Sequence, residues 1–194
     1  MFDPNSTSLP PQPAPPAEPH GPLAWLTSVR TLVGDVLLAI LISGFIIVFL
    51  YQPVRVEGTS MLPMLEDQDR LFINKMAFRI GDVHRGDVIV FQYPRDHTKS
   101  YIKRVIGLPG DVVGIDHGRV TLNGHTLNEP YVPARFADDR SQPEMKIPPQ
   151  EYFVMGDHRS ISSDSREFGP VDRNLIFGKA AFVYWPMDQA GVVR

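Results

Sequence analysis

"DVVGIDHGRVTLNGHTL", residues 111–127, decides the class of fold. Residues 111–116 and 119–123 are two β-rich runs separated by His117-Gly118, so they read as strand, tight turn, strand. Asn123-Gly124 then introduces His-Thr-Leu. That pair is a second hairpin signal, because Asn and Gly accept the positive φ that two-residue hairpin turns demand. The same texture continues on both sides: "DVIVFQY" (87–93) and "SYIKRVIG" (100–107) before it, "EYFVMGD" (151–157) and "LIFGKAAFVYWP" (175–186) after it. No amphipathic helix of any length interrupts these runs. They predict a mainly β, mostly antiparallel domain over residues 52–194. Residues 133–149, "PARFADDRSQPEMKIPP", are polar and punctuated by proline, and read as a long surface excursion.

The N-terminal part has a different character. Residues 1–22 are rich in Pro and Ala with few core formers, and a tail over 1–30 is expected to be disordered. The run "LVGDVLLAILISGFIIVFLY" (32–51) is apolar on every face and about 20 residues long, the length that crosses a bilayer core. Residues 31–51 are therefore expected to form a single transmembrane anchor, in preference to a buried core helix. Arg30 and Arg55 flank the two ends, so charge leaves the orientation open. The chain has 194 residues and a net charge of −3, with no basic excess pointing to nucleic acid. It contains no cysteine, which excludes disulfides, Cys-based metal sites and a Cys nucleophile.

Between anchor and domain stands "VEGTSMLPML" (56–65), a polar knot set against apolar residues. Ser60 there is either a turn residue or a nucleophile. A nucleophilic serine needs a base. Of six histidines, His20 lies in the tail, and His84, His97, His117 and His125 fall in turns or exposed stretches. His158, beside Asp157, keeps a Ser/His/Asp arrangement open. Lys103 is the other candidate, provided burial lowers its pKa. In "YIKRVIG" strand alternation puts Tyr101, Lys103 and Val105 on one face, so the amine has an aromatic ring and a β-branched aliphatic as neighbours. The stretch "GDHRSISSDSREFGPV" (156–171) is either a polar surface loop or a hydrogen-bonded buttress able to orient an amine.

These stretches, in this order, resemble bacterial type I signal peptidase: "GTSMLPML", "DRLFINK…RGDVIVF", "YIKRVIGLPGD" and "GDHRSISSDSREFG", within residues 35–185. The resemblance implies a Ser/Lys dyad with Ser60 as nucleophile and Lys103 as general base. It implies that Ser162 hydrogen-bonds the lysine amine, that Asp164 pairs with Arg166, and that Asp157 and Arg159 hold structural positions in the loop. Val54, Val56, Met61, Leu65, Tyr101 and Ile102 match positions lining the family's substrate subsites. Backbone N–H groups at Ser60 and Gly58 would form the oxyanion hole. Gly58 stands where some members have a hydroxyl donor, and His158 where an asparagine is common. The implied fold is an antiparallel β domain with a smaller β insertion. The implied activity is cleavage of secretory preproteins after small residues, in Ala-x-Ala-like sites, without metal or cofactor. The implied location is the outer face of the cytoplasmic membrane, with the N-terminus inside, the bilayer as partner and a monomer by default. A tethered β module that only binds is the competing reading; the self-cleaving repressors, which share such a dyad, lack a membrane span.

Overall fold

The structure, a computed structural model, describes residues 24–194. The tail residues 1–23, His20 among them, lie outside the described residues. Two units are distinguished, residues 1–44 and 45–194.

The first element is α1 (Ala24–Leu50). It starts earlier than the expected boundary at residue 31, because no proline stands between residues 24 and 52 to interrupt it. It also ends one residue sooner than expected, since Tyr51 opens the first strand. Its stretch Ser28–Ile46 is 19 residues long and none of it is buried. At about 1.5 Å per residue this reaches roughly the thickness of a bilayer core. Leu41, Leu32 and Ile40 are among its exposed apolar side chains.

The β domain follows in two sheets. Its strands are β1 (Tyr51–Arg55), β2 (Arg70–Asn74), β3 (Val88–Tyr93), β4 (Asp96–Gly107), β5 (Val112–Asp116), β6 (Arg119–Leu122), β7 (His125–Thr126), β8 (Gln142–Lys146), β9 (Glu151–Met155), β10 (Val171–Asp172), β11 (Ile176–Trp185) and β12 (Gly191–Val192). Two single-turn helices, α2 (Ala77–Ile80) and α3 (Ser165–Phe168), lie between strands. The larger sheet runs β1-β2-β11-β3-β4-β9-β10 with β12 paired to β11; the smaller runs β7-β6-β5-β8. Every ladder is antiparallel. The small sheet is the insertion that the family resemblance implies, carried between β4 and β9.

Apolar residues cover both faces of the large sheet, which explains why β3 reads as an unbroken Val-Ile-Val-Phe run. Val88 and Val90 join Leu71, Ile73, Ala180 and Val183 in one cluster. Ile89 and Phe91 join Val105, Tyr152 and Val154 in another. A third cluster, with Ile106, Val113, Ile115, Val120 and Phe153, binds the small sheet to the end of β4.

The segment expected as a surface excursion, 133–149, is exposed or half-buried apart from Ile147, but it contains regular structure. Residues 142–146 form β8 and pair with β5, and Ile147 is buried in the third cluster. A short 3-10 turn occupies Ala134–Phe136. β8 is an edge strand, where Pro143 removes no ladder donor that an interior strand would need. The proline that marked the segment as a loop thus marks an edge.

Candidate active site

Residues 56–69 leave the sheet after β1 and return to β2. The base of this excursion is closed by Val56 N–H donating to Asp69 O (2.7 Å) and Gln68 N–H donating to Val56 O (2.9 Å). Met61 and Leu65, joined by a turn hydrogen bond (Leu65 N–H to Met61 O, 3.0 Å), plug into the first core cluster and are almost fully buried. Ser60 therefore sits at the rim of a loop whose apolar half is locked down. Gly58 adopts φ +94°, a conformation that favours glycine. Its N–H donates to Asp67 Oδ1 at 2.8 Å.

Strand β4 brings the amine. Lys103 Nζ lies 2.6 Å from Ser60 Oγ. Its cross-strand partner on β3 is the buried Ile89, and the Tyr101 ring centroid is 5.3 Å from Nζ. Lys103 is 4% exposed. Burial is the main reason its pKa falls from 10.5 to about 8, against an opposing pull from Asp164 and Asp157. The amine is thus within reach of its neutral form near physiological pH, which a solvated lysine is not.

The 156–166 loop closes the other side. His158 N–H donates to Ser60 O (3.1 Å), and a Cβ on Gly156 would collide with that same carbonyl. The His158 ring addresses Thr59 O through Nδ1 at 3.2 Å and packs on Phe136, while the hydrogen bond to the Ser60 hydroxyl comes from Lys103. His84, His97, His117 and His125 are exposed.

The loop's charged residues pair as a buttress, with partners beyond the loop itself. Asp157 takes a bidentate contact from Arg104, the residue after Lys103 (Nε–Oδ1 2.9 Å, Nη2–Oδ2 2.6 Å). Arg159 takes Glu129 (2.8 and 2.6 Å). Arg166 takes Asp164 (2.7 Å from both Nε and Nη2) and Asp138 (2.6 Å). Burial alone would raise the Asp164 carboxyl; Arg166, Ser162 and the Gly156 N–H hold it below its ordinary value. Burial pushes the Asp157 carboxyl above its ordinary value despite Arg104. Arg104 and Asp157 side chains are 2% and 0% exposed. Removing one member of such a pair leaves a buried charge uncompensated, so Asp157→Ala is expected to cost about 3–5 kcal/mol, read as a lowered midpoint in chemical unfolding.

A groove of about 810 Å³ runs past Ser60 and Lys103. Val54, Val56, Tyr101 and Ile102 line it, together with Gly58, Ile161, Ser163 and Phe177. Three expectations are corrected. Met61 and Leu65 are core residues, because the 59–65 turn folds them inward. The Gly58 N–H is taken by Asp67 and is not an oxyanion donor; among the described residues nothing accepts from Ser60 N–H, which stays available. Ser162 does not hydrogen-bond Lys103. Its buried Oγ lies beside the Asp164 carboxylate, whose pKa it helps lower, without a well-formed hydrogen bond. The sequence reading also missed Arg104, Glu129 and Asp138. Arg104 carried a signal, being a charge inside an apolar strand that needs a partner.

A part-buried serine hydroxyl hydrogen-bonded to a buried amine at the edge of a groove is an arrangement suited to a serine hydrolase with a lysine base. Comparison with known proteins agrees. The family model described as "Signal peptidase, peptidase S26" matches residues 29–185. The chain is 38% identical over 175 residues to a "Probable signal peptidase I-2" of Synechocystis sp., covering 87% of this chain and 77% of that protein. It is 36% identical over 174 residues to "Signal peptidase I" of Bacillus licheniformis (83% of this chain, 89% of that one). It is also 36% identical over 196 residues to "Signal peptidase I" of Leptolyngbya laminosa (97% and 93%). The chain belongs to the signal peptidase family, peptidase S26. It is a serine endopeptidase of the membrane-associated kind that removes signal peptides, and the non-catalytic binding module is set aside.

Proposed function

We propose that Ser60 is the nucleophile and Lys103 the general base in the removal of signal peptides from secretory preproteins. Neutral Lys103 accepts the Ser60 proton as Oγ attacks the scissile carbonyl. The Ser60 N–H stabilises the oxyanion, a contact worth about 10²-fold in rate. The protonated amine then gives its proton to the leaving amino group. A water, deprotonated by the same amine, hydrolyses the acyl-enzyme and regenerates Ser60.

Substrate recognition follows from the groove. Among the described residues, Ser100 to Lys103 of β4 pair only with β3 and β1 pairs only with β2, so backbone groups on both strands are unclaimed next to the groove. An extended peptide fits there as an added strand. The apolar floor of Val54, Val56, Leu71, Val90, Ile102 and Phe177 is formed mostly by branched residues, which supports small side chains near the cut, as in Ala-x-Ala. Residues 31–51 anchor the protein in the cytoplasmic membrane, with residues 1–30 inside and the catalytic domain 52–194 on the outer face, where preproteins emerge.

One observation carries the assignment: a lysine amine 2.6 Å from a serine hydroxyl, with its charge disfavoured by burial. The test is the pH dependence of Ala-x-Ala peptide cleavage by the full chain in detergent. Activity is expected to rise with a midpoint near 8, because only the neutral amine accepts the proton. His158→Ala should keep that midpoint and lose no more than about tenfold in kcat, well short of what a general base supplies. A midpoint that vanishes in His158→Ala would transfer the base role to the histidine.

A further inference from the structure

Two carboxylates of the small-sheet insertion reach the arginines of the 156–166 loop. Glu129, just after β7, holds both terminal nitrogens of Arg159. Asp138, before β8, accepts from Arg166 Nη1 and also from Arg140 Nε. The two arginines hold backbone in turn. Arg159 Nε donates to Gly156 O at 3.0 Å, and Arg166 Nη2 donates to Arg159 O at 2.9 Å. Gly156 lies against the Ser60 carbonyl, and the His158 N–H donates to it. One side chain and one stretch of backbone therefore separate Glu129 from the nucleophile. Tyr131 adds a second path: its hydroxyl donates to Glu129 Oε1 at 2.9 Å, while its ring centroid lies 4.3 Å from the guanidinium carbon of Arg104, next to Lys103. Neither carboxylate lines the groove.

We propose that Glu129 and Asp138 are positioning residues through which the small sheet holds the 156–166 loop against Ser60 and Lys103, an inference that rests on the dyad assignment. The insertion is then a brace for the catalytic loop. The amine is surrounded by Asp164, Asp157, Arg166 and Glu167 as charged neighbours, by Tyr101 on its own strand, by Ile89 on β3 and by Ser60. Ile161 and Ser163 of the braced loop line the same groove as Lys103 and Ser60. A slack loop admits water, the ammonium form gains solvation, and the pH needed for the neutral amine rises.

The test uses Glu129→Gln and Asp138→Asn, which keep size and remove charge, with kcat, KM and the pH profile of peptide cleavage measured on the full chain in detergent. Each variant is expected to lose about tenfold in kcat, less than the ~10²-fold that a 1 Å misplacement can cost. KM should change less than kcat, since neither carboxylate lines the groove and only Ile161 and Ser163 of the braced loop do, and the pH midpoint should move alkaline by about half a unit or more. Glu129→Asp, which restores charge with a shorter reach, should fall between wild type and Glu129→Gln, and it carries the same test if Glu129→Gln does not fold. Wild-type kcat in either variant removes that residue from the proposal. Lost kcat with an unmoved midpoint overturns the positioning role in favour of plain structural support. A Ser60→Ala control separates the two levels: cleavage surviving it defeats the dyad, whereas an intact dyad with two silent carboxylate variants defeats only the brace.

Discussion

Lys103→Met is expected to be inactive and more stable than the wild type. Loss of the base removes the proton acceptor, and dyad partners act as a unit, so kcat should fall by about 10⁴-fold or more, as for Ser60→Ala. Stability moves the opposite way. Lys103 titrates at about 8 when folded against 10.5 when exposed, so folding disfavours its ammonium form. The penalty is fully present below the folded value and fades as pH rises toward the unfolded one, where both states are neutral. The fall from 10.5 to about 8 corresponds to about 3 kcal/mol, which methionine, similar in shape and uncharged, does not incur. Thermal melts in detergent should show a gain of several degrees at pH 7 that shrinks by pH 10. A Lys103→Met protein that cleaves peptide would end the lysine-base mechanism. One that melts at or below the wild type at pH 7 would show that the amine is solvated in the folded state.

Gly156→Ala should lower catalysis strongly, though less than Lys103→Met, for a purely steric reason. A Cβ at this position would collide with the Ser60 carbonyl and Ser162 Oγ and would sit 2.7 Å from Ser162 Cβ. The hydroxyl can rotate away, but the Ser60 carbonyl belongs to the backbone and already accepts from His158 N–H. The loop must therefore retreat from the nucleophile. Overpacking of this kind costs about 1–3 kcal/mol, and a shift near 1 Å in the reacting geometry costs about 10²-fold in kcat. The measurement is kcat together with the melting temperature. Near-normal turnover in Gly156→Ala would mean that the loop does not fix Ser60.

The architecture was legible because β pairing leaves local marks. His117-Gly118 does turn the chain between β5 and β6, and Asn123-Gly124 between β6 and β7, both with positive φ. Alternation along β4 put Lys103 beside Tyr101, as found, but could not reveal Ile89, since register belongs to the pairing and not to either strand alone. The same limit governs the site. Arg104 and Asp157 are 53 positions apart, and Arg159 and Glu129 are 30 apart, so a local reading of the loop saw charges without their mates. Met61 and Leu65 looked like groove residues because an apolar side chain beside a nucleophile serves a subsite or a core equally well in sequence. Only the turn decides which way it points.

The open edge of β4 has a consequence for timing. Ser100 to Lys103 can accept only a polypeptide whose own amides are uncommitted, and a segment already coiled into a helix or locked in a tertiary fold has none to offer. Maturation would then have to occur while the newly exported chain is still slack around its junction, so the rate at which a passenger folds competes directly with the rate at which it is released.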